Sequence, residues 1–242
     1  MPRFLAILKY GALATLLSVS ILVAKTPTDW PQWRGPHRDG NSAETGLLKE
    51  WPKSGPALAW HSKNIGDGYS TPAIVGDRIY VLSNTGLDDE YVQALAASDG
   101  KRIWKTTIGK VGNPKQYPSY PAARSTPTVD GDKLYALGSD GDLACLDTNN
   151  GKIEWRKNVR TDFGGKPGTW AYSESPLVDG DTLICSPGGA NATLIALDKK
   201  TGSTKWKCAV PGGDAAGYAS AMIVEADGRK QYVQFMSKGV VG

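Results

Sequence analysis

Residues 124–159 read RSTPTVDGDKLYALGSDGDLACLDTNNGKIEWRKNV. Four short strand-like stretches stand out within them, at about Thr126–Val129, Lys133–Gly138, Leu143–Asp147 and Lys152–Val159, with Gly131-Asp132, Asp140-Gly141 and Asn150-Gly151 between them. Glycine beside Asp or Asn supplies the positive φ and the side-chain turn bonds that tight hairpins require, so the stretch predicts four antiparallel strands in a meander. In the last strand Ile153 and Trp155 alternate with Glu154 and Arg156. That alternation puts the indole on one face of the strand and the charges on the other.

The same order of residues recurs on both sides. It begins at Tyr69 with YSTPAIVGDRIYVLSNTG and at Ser173 with SESPLVDGDTLICSPGG. The three copies share a proline (Pro72, Pro127, Pro176), a Gly-Asp turn (Gly76, Gly131, Gly180), a second glycine turn (Gly100, Gly151, Gly202) and a closing tryptophan (Trp104, Trp155, Trp206). The closing Trp residues stand 51 residues apart twice, and Trp60, in LAWHSKNI, stands 44 before the first. Trp60 therefore reads as the end of the last strand of an incomplete earlier unit. A four-stranded meander repeated about every 50 residues is a β-propeller blade. One such sheet cannot bury both faces, and a ring at the same place in each blade, burying about 150–250 Å², assigns Trp60, Trp104, Trp155 and Trp206 to docking between blades.

The expected fold is therefore all-β: a propeller of four-stranded blades near 58–108, 109–159 and 160–210, with an unfinished one over 211–242. Propellers close with about four to eight blades, so the expectation is an incomplete part of a seven- or eight-bladed ring. The composition agrees with this, since 29 glycines among 242 residues exceed the average of about 7%, and eight Trp stand against three Phe. A net charge of +4 spread over 28 basic and 24 acidic residues, with no basic run, argues against nucleic acid as a partner. Arg3 and Lys9 precede an apolar run from about Gly11 to Ala24, the layout of a signal peptide over 1–24, with an uncleaved signal anchor as the alternative and the sole route to a membrane. The protein is thus expected to be exported, to the periplasm or beyond. Cys145, Cys185 and Cys208 lack CxxC spacing, so buried free thiols are expected, or one disulfide, and no zinc site. His37 and His61 have no paired ligand spacing, so no metal site is expected.

The segments ALAASDGKRIW, CLDTNNGKIEW and ALDKKTGSTKW, ending at Trp104, Trp155 and Trp206, resemble the Trp-docking motif of pyrroloquinoline quinone (PQQ) repeats. The segment DWPQWRGPHRDGNSAETGLLKEWP, at 29–52 within a leader over 25–57, is similar to the opening of exported PQQ-like repeat proteins related to the B subunit of the outer-membrane barrel assembly machinery. Two functions follow from the resemblance. Non-catalytic members are scaffolds that bind proteins and hold no quinone, and that is the expected function here: binding of a protein or small ligand at the propeller face, with no cofactor. The alternative is a PQQ-dependent alcohol or sugar dehydrogenase, in which the resemblance implies a quinone beside calcium, between a Trp floor and a disulfide of adjacent cysteines, with an Asp as general base. This chain has no adjacent cysteines, and it has no cysteine after the apolar run to carry a lipid.

The irregular segments between blades are where a site is expected. GKVGNPKQYPSYPAARS (109–125) carries Arg124, and RTDFGGKPGTWAYSES (160–175) carries Trp170, Tyr172 and Glu174. Both lead into the first strand of a blade, the one nearest a propeller's axis. An Arg fork and a carboxylate beside aromatic rings suit a planar anionic ligand or a peptide, and the competing reading is a structural Arg124–Glu174 ion pair. No catalytic residues are expected. Asp39 reads as a turn residue, and Asp88-Asp89-Glu90 as a solvated hairpin tip.

Overall fold

The computed structural model describes residues 29–115 and 122–242; the signal segment expected over 1–24 lies outside them. Three four-stranded antiparallel sheets follow one another along the chain. The first holds β1 (Ala73–Val75), β2 (Arg78–Thr85), β3 (Asp89–Ala96) and β4 (Arg102–Lys110), and the second holds β5 (Thr128–Asp130), β6 (Lys133–Leu137), β7 (Asp142–Asp147) and β8 (Ile153–Asn158). The third is β9 (Leu177–Asp179), β10 (Thr182–Cys185), β11 (Leu194–Asp198) and β12 (Thr204–Cys208). A fourth sheet has three strands, β13 (Met222–Ala226), β14 (Arg229–Phe235) and β15 (Val240–Val241). Each sheet pairs its strands in sequence order, as a meander must.

Glycine turns set the register. In the second sheet Asp130 pairs with Lys133 around Gly131, whose φ is +62°. The loop between β7 and β8 closes when Gly151 N–H donates to Asp147 O at 2.9 Å, while the Asp147 carboxylate accepts from Asn149 and Asn150. The third sheet repeats this with Gly202, Asp198, Lys200 and Thr201. Local chemistry alone therefore specifies each hairpin.

The sheets stack through buried apolar faces. Tyr80, Leu82 and Val92 meet Leu134, Ala136 and Leu146 between the first two. Tyr135, Leu143 and Cys145 meet Leu183, Cys185 and Ile195 between the second and third, and a smaller cluster of Leu177, Ile184, Ala196 and Ala221 lies between the third and fourth. The tryptophans lock this stack by one repeated contact. The indole N–H of Trp60 donates to Ala97 O at 2.8 Å, that of Trp104 to Thr148 O at 3.0 Å, and that of Trp155 to Lys199 O at 3.0 Å. In each case the ring lies flat on the turn glycine one sheet further on: a Cβ on Gly100, Gly151 or Gly202 would sit 2.7, 2.5 or 2.9 Å from it. Only glycine allows that approach, and its positive φ makes the choice doubly specific.

Trp206 departs from the pattern. Its ring stacks on Tyr232 at 6.0 Å and stays 37% exposed, whereas Trp104 is 9% exposed. Trp206→Ala is accordingly expected to cost about 1–2 kcal/mol in urea denaturation, less than the corresponding change at Trp104.

Some expectations need correcting. Trp60 docks as predicted but lies in no strand: 51–66 form an irregular path with no ladder partner among the described residues. Cys145 and Cys185 are buried free thiols, but Cys208 is exposed because β12 is an outer strand exposed along its length. At the hairpin tip Asp88 and Asp89 are solvated and share Lys110, yet Glu90 is fully buried. It turns into the next sheet, where the Ser139 backbone N–H and hydroxyl donate to its two oxygens. Burial pushes the Glu90 carboxyl up to about 7 against those two hydrogen bonds, and Asp142 and Asp140 add to the rise.

Candidate functional site

The strands β1, β5, β9 and β13, the first of each sheet, are each entered by the same three-residue approach, and the repeat aligns four sets of side chains there. One position holds Tyr69, Arg124, Ser173 and Tyr218; two residues later stand Thr71, Thr126, Ser175 and Ser220. All eight line a single cavity of about 360 Å³, together with Trp33 from the leader and Trp170 from the loop before β9. The hydroxyl position is stitched from sheet to sheet: Thr126 N–H donates to Ser175 Oγ at 2.9 Å, and Ser175 N–H donates to Ser220 Oγ at 2.8 Å. A hydroxyl that accepts a backbone N–H keeps its own proton to donate, so Ser175 and Ser220 can each offer a donor.

Arg124 brings the charge. Its guanidinium lies 5.1 Å from the Tyr69 ring centre and 6.0 Å from that of Trp170, within reach of both π faces. Trp170, 38% exposed, is held in place because its backbone N–H donates to the Tyr218 hydroxyl at 3.2 Å, and Ala171 beside it takes a positive φ of +65° that turns the chain back inward. Among the described residues no carboxylate and no thiol lines the cavity.

The other two residues singled out in the sequence do not join them. Tyr172 is buried between the second and third sheets, with its hydroxyl donating to Pro187 O at 2.9 Å, so it is a packing residue. Glu174 is also buried and turns away from Arg124: Ser186 donates to its oxygens through both backbone N–H and hydroxyl, and Gln234 Nε2 approaches at 3.4 Å. Strand alternation explains both reversals, since neighbours along an extended approach point to opposite sides. Burial pushes the Glu174 carboxyl up to about 7, opposed by Ser186 and by the charge of Arg38.

Arg38 is the residue that sequence reasoning missed. The leader runs along the inner strands: Trp30 and Ile74 exchange both backbone hydrogen bonds, Val129 N–H donates to Pro31 O, and Arg38 donates to Ser175 O at 3.0 Å and Pro176 O at 3.1 Å. Its guanidinium also lies 5.3 Å from the Trp33 ring, which fixes that wall of the cavity. The one signal was Trp33, Arg34 and Arg38 crowded into a few residues, and the Gly-Pro and Asp-Gly turns around them read as simple loop. Asp39 does cap a turn there, accepting from Asn41 N–H at 2.9 Å.

Comparison with known proteins places this architecture. A family model described as outer membrane protein assembly factor BamB matches residues 88–242. The protein of that name from Moranella endobia is 27% identical over 167 residues, covering 66% of this chain and 38% of the relative; that from Salmonella typhimurium is 28% identical over 141 residues, covering 57% and 31%. The chain thus spans about a third of the length of these relatives. Among solved structures, quinohemoprotein alcohol dehydrogenase from Comamonas testosteroni superposes with a TM-score of 0.53 at 24% identity, over 80% of this chain and 28% of the other. BamB from Moraxella catarrhalis gives 0.52 at 20%, over 74% and 51%. At these identities the structural likenesses establish the β-propeller fold and nothing finer. The repeats, the docked tryptophans and the match over 88–242 make one conclusion: the chain belongs to the BamB family of outer membrane protein assembly factors.

Proposed function

We propose that this protein is an exported, non-catalytic propeller scaffold that holds a protein partner at its axial cavity, through Arg124, Trp170 and the hydroxyl floor. One observation carries the reading: a cavity walled by aromatic rings, floored by hydroxyl donors and carrying one guanidinium, with no carboxylate or thiol in its lining among the described residues. Such a surface can bind and orient, but it offers no general base and no nucleophilic thiolate. The relatives named as outer membrane protein assembly factors support a protein as the partner, and the signal-like layout of 1–24 supports export.

The dehydrogenase alternative draws on the superposition with the Comamonas enzyme and would need a cavity that holds a quinone and calcium. The residues do not fit. The nearest buried carboxylate, Glu174, is turned away and held by Ser186, while Cys185 lies buried beneath it and Cys145 is in another sheet. Among the described residues the lining lacks the carboxylate oxygens that hold a divalent cation.

Anisotropy of a labelled, urea-unfolded outer-membrane β-barrel polypeptide, diluted into the full chain, tests the scaffold. Saturable binding that falls at least tenfold with Trp170→Ala is expected. Absence of binding, or binding indifferent to Trp170, contradicts the reading.

A further inference from the structure

The axial cavity does not stand alone. Tyr218 is shared with a second cavity of about 470 Å³ that runs outward between the loop before β9 and the fourth sheet, past Gly168, Ala216, Phe235 and Met236. The two halves differ in chemistry. The first is donor-rich around Arg124, and the second is largely apolar, with Phe235 58% exposed and Tyr218 46% exposed at the junction. Gly168 forms the wall where they meet: a Cβ there would lie 2.8 Å from the Tyr218 hydroxyl, so that close approach needs glycine and holds the Tyr218 ring at the boundary.

We propose that the two cavities form one track for an extended peptide segment of the partner, with a side-chain carboxylate seated at Arg124 and, two residues along on the same face, an apolar side chain over Tyr218 and Phe235. This deepens the scaffold reading and rests on it. Charge complementarity selects the carboxylate, because among the described residues Arg124 is the one charged side chain lining the track. The hydroxyl floor selects a peptide over a small aromatic acid. An aromatic acid would cover Thr71, Thr126, Ser175 and Ser220 without offering them acceptors, which is costly, whereas an extended backbone presents a carbonyl at every residue. The serial arrangement of the two cavities also matches the reach of an extended chain rather than a compact ligand.

The test uses the full chain and two labelled peptides, Gly-Phe-Ser-Glu-Ser-Phe-Gly and its Glu→Gln counterpart, followed by anisotropy and tryptophan quenching. The acidic peptide should bind at least tenfold tighter than the amide. Arg124→Gln should erase that preference and Arg124→Lys should keep part of it. Tyr218→Ala should weaken both peptides equally and leave the preference intact, with unchanged melting curves reporting an intact fold. Equal affinity of the two peptides overturns the proposal, as does competition by benzoate as effective per molecule as by the peptide. If neither peptide binds while the unfolded barrel polypeptide still does, the acidic track is wrong and the scaffold stands; if the barrel polypeptide fails too, both are wrong.

Discussion

Trp104→Ala is expected to destabilise the protein by about 3–5 kcal/mol, read as a lowered urea midpoint, because it empties the largest ring between the first two sheets and removes the indole hydrogen bond to the Thr148 carbonyl, which keeps its bond from Arg78. Gly151→Ala attacks the same contact from the other side. Its Cβ would lie 2.5 Å from the Trp104 ring, and φ at +72° already strains any L side chain by about 1–2 kcal/mol, so a loss of a few kcal/mol is expected there too. The pair distinguishes docking from general packing. Once the indole is gone the added methyl meets only the Thr106 hydroxyl, at 2.8 Å, so the double variant should lose clearly less than the sum of the two single losses. Additive losses would mean that ring and glycine are not coupled.

Stability should also fall as pH rises from about 4.5 to 7. Glu90 and Glu174 are both buried and both pushed to about 7 from the ordinary 4.5, so across that window the folded chain keeps protons that the unfolded chain has released. Their favourable contribution is complete below about 4.5 and is lost on approaching 7, and each shift corresponds to roughly 3 kcal/mol. The surface carboxylates of Asp179, Asp181 and Asp198 are held below 3.8 by their partners and act in the opposite sense, at lower pH and outside this window. Glu174→Gln keeps an acceptor for the Ser186 N–H and removes the titration. Urea midpoints between pH 5 and 8 should therefore slope less steeply in the variant than in the parent. Parallel slopes would show that Glu174 does not titrate there.

What the sequence made legible follows from how locally each feature is specified. The hairpins were readable because Asp147 and Gly151, or Asp198 and Gly202, bond within their own loop. The tryptophans were readable because a periodic large ring has one economical explanation, and Trp104 and Trp155 meet it; Trp206, equally periodic, stays 37% exposed against Tyr232. The path around Trp60 misled, because its indole marks a docking position and says nothing about whether its backbone has a strand beside it. Of the residues singled out for a site, Arg124 and Trp170 line the cavity, because irregular loops leading to inner strands are where a repeat stops dictating identity. Tyr172 and Glu174 were misread because one residue of register decides inward or outward, and their partners, Pro187 and Ser186, stand 15 and 12 residues on, past the end of β10. Glu90 hid for the same reason: Ser139 lies 49 residues away in the next sheet. Arg38 had only the crowding of Trp33, Arg34 and Arg38 as a local mark, since its carbonyl partners at Ser175 and Pro176 lie far along the chain, 137 and 138 residues away.

The claim on which the rest depends is that the axial cavity binds and does not catalyse. Titration of the full chain with PQQ in the presence of calcium, followed by absorbance and by dye reduction with alcohols and sugars as substrates, tests it most directly. The predicted result is no saturable spectral change and no dye reduction above a protein-free control. Stoichiometric quinone binding with substrate-dependent dye reduction, lost in Arg124→Gln, would contradict it.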